Sequence, residues 1–228
     1  MDFYIANEQL DAQILKIKQK IQLSMNGVTA DSMSKKGVIY KRNFGVELTA
    51  LREMAKTFTA SPDLAQRLWL IGWRETLILS VFLQPVEGFT TKQAVERIIS
   101  APQKEIIDVL CLYLLSKTEY APALCVDLLN LENENCRIAG FMLVSRIYNR
   151  LTDCQIEQII DKSVAYSETD NFQRYKSIGI CLGRLCRTNK ENATIIANIV
   201  ENFRQSKKPS QCAIADEVKQ ELDFLMNL

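Results

Sequence analysis

The chain contains no histidine. That absence excludes Ser-His-Asp and Cys-His triads, His-Glu-x-x-His zinc sites and every imidazole general base. Any proton chemistry falls to Asp, Glu, Lys, Tyr or Cys. Glycine and proline are scarce, 8 and 5 in 228 residues, so few positions punctuate the chain and helix formers dominate it. No apolar run approaches the roughly 18 uncharged residues that a membrane span needs. The opening MDFYIANEQLDAQILK carries an acid where a secretory leader has basic residues ahead of an apolar core. No membrane association is expected. No CxxC pair occurs among the seven cysteines, Cys111, Cys125, Cys136, Cys154, Cys181, Cys186 and Cys212. An odd, scattered set fits buried thiols in a reducing cytoplasm better than disulfides or metal ligands. Neither a GxxxxGKS/T nor a GxGxxG phosphate loop is present. No cofactor and no metal are expected.

What the chain does have is helical periodicity and unevenly placed charge. The net charge is only +1, yet residues 1–60 carry +3, 61–133 carry −3, 134–210 carry +4 and the remainder −3. A bound polyanion would lie against the first and third blocks. A first helix is predicted over 3–24, with Ile5, Leu10, Ile14, Ile17 and Ile21 at helical spacing. The polar stretch SMNGVTADSMSKKG reads as turn. A basic entry, YKRNFG, leads into an amphipathic helix through Leu48, Leu51, Met54, Ala55 and Phe58, and Ser61-Pro62-Asp63 starts the next. Helices then alternate with short polar breaks, and no strand-like alternation competes.

Four segments resemble one another, each a charged residue ahead of an almost continuous apolar helix. They begin at Glu75, Glu105, Arg137 and Lys176, roughly 30 to 40 residues apart, the period of a HEAT-kind helix-pair solenoid. The expected fold is therefore all-α, an α-α superhelix of HEAT-like repeats, with residues 1–228 as one domain. Helices in such a stack bury one face on the pair mate and another on the next repeat, so they look apolar nearly all round.

Asp108 sits in the middle of one such helix, QKEIIDVLCLYLLSK. It is a solvated edge, a buried acid paired to a base such as Lys104, or a working carboxylate facing a groove. An isolated carboxylate in a concave groove orients water or stabilises a developing cation such as a sugar oxocarbenium ion. The candidate polyanion contacts are Lys41 and Arg42 at the front and Arg137, Arg174, Lys176 and Arg184 further on. Lys35, Lys36, Arg146, Arg150 and Arg187 belong to the wider basic set. Tyr40, Phe44, Tyr148, Phe172 and Tyr175 lie near these charges and are either core or stacking surfaces. Trp69, Trp73 and Arg74–Glu75 read as two packing tryptophans and an ion pair.

The segments YKRNFGVELTALREMAKTF and LAQRLWLIGWRETLILSVFLQPVEGF, followed by KEIIDVLC, RIAGFMLVSRIY and KSIGICLGRL, resemble the DNA alkylation repair (AlkD-like) family over roughly residues 30–190. The resemblance implies a HEAT-like solenoid and DNA glycosylase chemistry: hydrolysis of the N-glycosidic bond of N3- or N7-alkylated purines in duplex DNA, without a tight pocket for a flipped base. It implies Asp108 as the catalytic carboxylate and Arg137 as a backbone contact near the lesion. The chain departs from the family pattern at Lys104 and Ile180, where the family has tryptophans that contact the lesion sugar. Lys104 lies one turn from Asp108 and is placed to pair with it. Two functions stay open: a divergent alkylpurine glycosylase acting through Asp108, and a non-catalytic scaffold binding unusual DNA or a protein. The expected partner is duplex DNA, held with modest affinity by a cytoplasmic monomer.

Overall fold

A computed structural model of the chain describes residues 7–226, with side chains through 223. Every regular element among the described residues is helical, and no helix among them is long and apolar enough to cross a membrane. The chain divides into two compact units, Met1–Phe89 and Thr90–Leu228.

The first unit holds α1 (Glu8–Leu23), α2 (Gly27–Lys35), α3 (Leu48–Ala55), α4 (Pro62–Ile71) and α5 (Arg74–Phe82). The predicted start of α1, including Ile5, lies outside the described residues. From Asn7, whose side chain accepts from the Leu10 N–H at 3.1 Å, the helix buries Ile14, Ile17 and Ile21 on one face. Helix α2 replaces the turn expected there. The Asn26 side chain caps it, accepting from the Thr29 N–H at 3.1 Å, but it buries no residue at all. A helix without an apolar stripe leaves no periodic signal in the sequence. Ser61 caps α4 through the Leu64 N–H at 3.2 Å with Pro62 at the first turn, as predicted. Helices α4 and α5 pack together, and α3 lies on α5.

The second unit holds α6 (Thr91–Ser100), α7 (Lys104–Tyr113), α8 (Ala121–Asn130), α9 (Glu134–Ile147), α10 (Asp153–Ala165), α11 (Phe172–Leu185), α12 (Lys190–Ser206) and α13 (Pro209–Met226). Helices α7, α9, α11 and α13 form a row, each packed on the next. Behind them α8 packs on α9, α10 on α8 and α11, and α12 on α13. This two-layer order is the helix-pair repeat inferred from the sequence period. Helix α9 is enclosed by α7, α8 and α11, which is why Ile138 through Ser145 are all buried. Gly140 permits the α8 contact: a Cβ there would stand 2.8 Å from Leu129 Cγ. Arg150, one of the basic set, is a staple: it donates to the Ser116 and Thr118 carbonyls at 2.6 and 2.8 Å.

Candidate nucleic-acid interface

Helix α7 turns Ile106, Ile107, Val109, Leu110 and Cys111 inward, which leaves Asp108 at the edge of the buried face. Asp108 is partly exposed and paired with a base. Lys104 Nζ lies 2.6 Å from Asp108 Oδ2, with the two side chains 19% and 33% exposed. The other oxygen, Oδ1, is buried and accepts no hydrogen bond. Cys111, fully buried one turn further on, registers the charges around it. Burial pushes its thiol well up, the Asp108 charge adds to that, and Arg146 and Lys104 oppose it. Arg146, at the exposed end of α9, is therefore a cation within electrostatic reach of the same spot.

The cations of the third charge block are mostly engaged. Arg174 on α11 reaches back to Glu134 of α9, Nη1 to Oε2 2.9 Å. Lys176 pairs forward with Glu217 of α13 at 2.5 Å, and Arg187 pairs with Glu221. These pairs link consecutive members of the row. Arg137 is also held: its Nε donates to the Leu131 carbonyl at 3.1 Å, and its guanidinium stacks on Tyr166, 4.4 Å from the ring centre. The Tyr166 hydroxyl in turn donates to the Leu129 carbonyl at 3.1 Å. Arg137 carries no acid partner among the described residues, but its orientation is set by Tyr166. Arg184 is half-buried on α11 and also has none. Of the aromatics, Phe172 is exposed and meets Tyr175 edge-on at 5.3 Å.

Lys41 and Arg42 belong to the first unit, on the loop between α2 and α3. Both are exposed. Their loop is fixed from beneath by the predicted Arg74–Glu75 pair, which is buried: Arg74 Nη1 lies 3.3 Å from Glu75 Oε1, with side-chain exposures of 6% and 0%. Glu75 Oε1 also accepts from the Phe44 N–H at 3.1 Å and the Val46 N–H at 3.3 Å. The Arg74 side chain donates to the Val46 carbonyl at 2.8 Å, and its backbone N–H to the Arg42 carbonyl at 2.9 Å. Gly45 completes the turn at φ +70°, where a Cβ would meet the Asn26 carbonyl oxygen at 2.1 Å.

Trp73 departs from the expectation of a packing tryptophan. Trp69 is buried, whereas Trp73 is half-exposed at the start of α5. Phe44 tilts against it at 5.2 Å, Lys18 Nζ stands 5.4 Å from its ring and the Arg42 guanidinium 5.0 Å. Lys18 was not among the sequence candidates. It lies far from the basic entry in the chain, and nothing in its local pattern marks it.

The sequence-predicted contacts thus fall into two sets. Lys41 and Arg42 lie in the first unit. Asp108, Arg137, Arg174, Lys176 and Arg184 lie on the α7, α9 and α11 row of the second. Among the described residues no cluster of Cys, Asp and Glu side chains could hold a metal ion.

No protein-family model matches the chain, and no curated protein matches it. Solved structures do. One represents a new family of proteins related to the HEAT-like repeat DNA glycosylases, with affinity for branched DNA structures. It aligns at a TM-score of 0.77 and 15% identity, over 91% of this chain and 93% of that one. A designed armadillo repeat protein in complex with the peptide (KR)4 aligns over 76% of this chain and 92% of its own at 13% identity, with a TM-score of only 0.36. The chain therefore has the all-α, HEAT-like repeat fold that its sequence period indicated.

Proposed function

We propose that this chain binds the phosphate backbone of DNA, branched DNA in particular, and does not hydrolyse glycosidic bonds. The observation that carries this reading is the 2.6 Å contact between Lys104 and Asp108. Asp108 is the acid the family resemblance assigns to catalysis, and its charge is already met. An oxocarbenium centre about 4 Å from the carboxylate would gain about 4 kcal/mol at an effective dielectric of about 20. The lysine charge, about 6.5 Å from that centre, would take back about 2.5 kcal/mol by repulsion. The gain is reduced by more than half, and Lys104 and Ile180 stand where the family resemblance places indoles.

Cations suited to phosphate remain. Lys41, Arg42, Arg137, Arg146 and Arg184 have no acid partner among the described residues. The fold is shared with a protein whose family has affinity for branched DNA. One observation favours the second reading, alkylpurine excision through Asp108: its side chain is still 33% exposed, so the carboxylate is not sealed from a ligand.

The test pairs binding with scission. Wild type, Asp108→Asn and Lys104→Ala are titrated against a labelled four-way junction and a linear duplex of the same length. The same proteins are incubated with a duplex carrying 7-methylguanine and assayed for alkali-labile breaks. Salt-sensitive binding that favours the junction, with no breaks above background, is expected. Breaks made by wild type and lost in Asp108→Asn would restore the glycosylase reading. Absence of binding to either DNA at low salt would remove both.

A further inference from the structure

We infer that the first unit carries a phosphodiester-binding site of its own, organised by Trp73 and formed by Lys18, Lys41 and Arg42. The inference rests on the DNA-binding reading above and adds Lys18 and Trp73 to it.

The first support is a group of cations with no acid among them. Some cations meet acids: Lys56 with Glu53, Arg67 with Asp11, Lys104 with Asp108, Arg204 with Asp216 and Lys208 with Glu168 are among the ion pairs. Those around Trp73, like Arg137, Arg146 and Arg184 in the second unit, do not; what sets them apart is that three of them gather beside one ring. Lys18, Lys41 and Arg42 have no acid partner among the described residues. The nearest carboxylate in sequence to Trp73, Glu75, is fully buried, and its Oε1 is taken up by Arg74 and two backbone N–H groups. A group of cations without counter-charges is relieved by an anion from outside.

The second support is pre-organisation. Lys18 and Arg42 come from different elements, yet both stand within 5.4 Å of one indole ring. The ring face attracts each cation and holds it without neutralising it. Arg42 also lies 5.9 Å from Phe44. The Lys41 stem runs beside Gly72, where a Cβ would stand 3.8 Å from its Cδ. The backbone beneath is pinned at Arg42 and Phe44 by α5 and by the Asn26 N–H, which donates to the Phe44 carbonyl at 2.8 Å. Charges gathered this way lose little freedom on binding.

The third support is the fit of the partner. A DNA strand offers one phosphate about every 3.4 Å along its axis, a run of anions for a run of cations, and arginine can grip one bidentately.

The test is the salt dependence of junction binding. Each phosphate contact contributes about 0.9 to the slope of log affinity against log salt between about 50 and 200 mM. Lys18→Ala/Arg42→Ala is expected to make that slope shallower by about 1.8. The charge-preserving Lys18→Arg/Arg42→Lys protein is expected to keep the wild-type slope. Trp73→Ala is expected to weaken junction binding about two- to five-fold, and Trp73→Phe to recover most of it. Should the alanine pair leave the slope unchanged while wild type binds, this site is wrong and the DNA-binding reading stands. Should the alanine pair lose affinity for anionic phospholipid vesicles instead, the partner is a membrane surface and the inference falls. If wild type binds no DNA, both fall together.

Discussion

Replacing Glu75 by Gln removes one charge from the buried pair beneath the Lys41–Arg42 loop and changes almost no volume. The Gln oxygen can still accept from the Phe44 and Val46 N–H groups, which lie 3.1 and 3.3 Å from the present Oε1. Two things are lost. Arg74, with a side chain only 6% exposed, keeps its charge but loses the Glu75 carboxylate 3.3 Å away. The new amide group takes the place of Oε2, which is buried and accepts no hydrogen bond, so it gains a donor where no acceptor is waiting. Breaking a buried pair from one side typically costs about 3–5 kcal/mol. A native domain has about 5–15 kcal/mol in all. The substitution therefore removes a large fraction of the first unit's stability.

The measurement is urea unfolding followed by tryptophan emission, because both tryptophans, Trp69 and Trp73, belong to this unit. Arg74→Met/Glu75→Gln removes both charges and is expected to recover at least 1 kcal/mol relative to Glu75→Gln alone, since no bare buried charge remains. The recovery is partial, because Arg74 also donates to the Val46 carbonyl at 2.8 Å. A loss below about 1 kcal/mol for Glu75→Gln would refute the claim that this pair fixes the cationic loop. So would strictly additive effects of the two substitutions.

Gly45→Ala is expected to damage the first unit more than Gly140→Ala damages the second. The added Cβ at Gly45 strikes backbone at 2.1 Å, whereas at Gly140 it meets the Leu129 side chain at 2.8 Å. For Gly140→Ala, overpacking of about 1–3 kcal/mol is offset by about 1 kcal/mol of helix propensity, and urea midpoints will show the difference. A thiol reagent is expected to label Cys154 at once and Cys212 more slowly in the native protein; Cys111, Cys125, Cys136, Cys181 and Cys186 will react only on unfolding. Burial raises the Cys136 thiol to about 11 and the Cys125 and Cys186 thiols to about 12, against 9.0 when free. Above pH 9 the unfolded chain therefore loses protons that the folded one keeps. Stability falls as pH rises through that window, by about 1.4 kcal/mol per unit for each fully ionised thiol. Urea midpoints at pH 8 and 10 check this, and Cys136→Ala is expected to lessen the drop.

The parts of the fold that were legible in the sequence are those with an apolar stripe. Ile14, Ile17 and Ile21 marked α1, and the charged-then-apolar segments at Glu75, Glu105, Arg137 and Lys176 marked α5, α7, α9 and α11. Helix α2 was not legible, because a helix that buries nothing has no period to read. At the site, the Lys104–Asp108 pair was legible because one helical turn fixes the distance between residues four apart. The engagement of Arg174, Lys176 and Arg187 was not. Their acids, Glu134, Glu217 and Glu221, are 34 to 41 residues away, a distance along the chain that only packing converts into contact. Lys18, and its meeting with Trp73, stayed hidden for the same reason.

The pairing along the α7–α13 row takes up part of the charge of the basic third block. Glu134 and Glu217 sit one helix away from the cations they meet, so the row cancels its own field where repeats touch. Such pairs are partly exposed, and each stabilises the stack by about 1 kcal/mol at most. Their larger consequence is for binding. A phosphate that took Arg174 or Lys176 would first have to displace a carboxylate, and the exchange gains little. Arg137, Arg184 and Arg146, with no carboxylate to displace among the described residues, are where a backbone would gain contact free energy on the row. In the first unit Lys18, Lys41 and Arg42 likewise have no carboxylate to displace among the described residues. Substituting the paired arginines is therefore expected to lower stability with little change in DNA affinity, and substituting the unpaired ones to do the reverse.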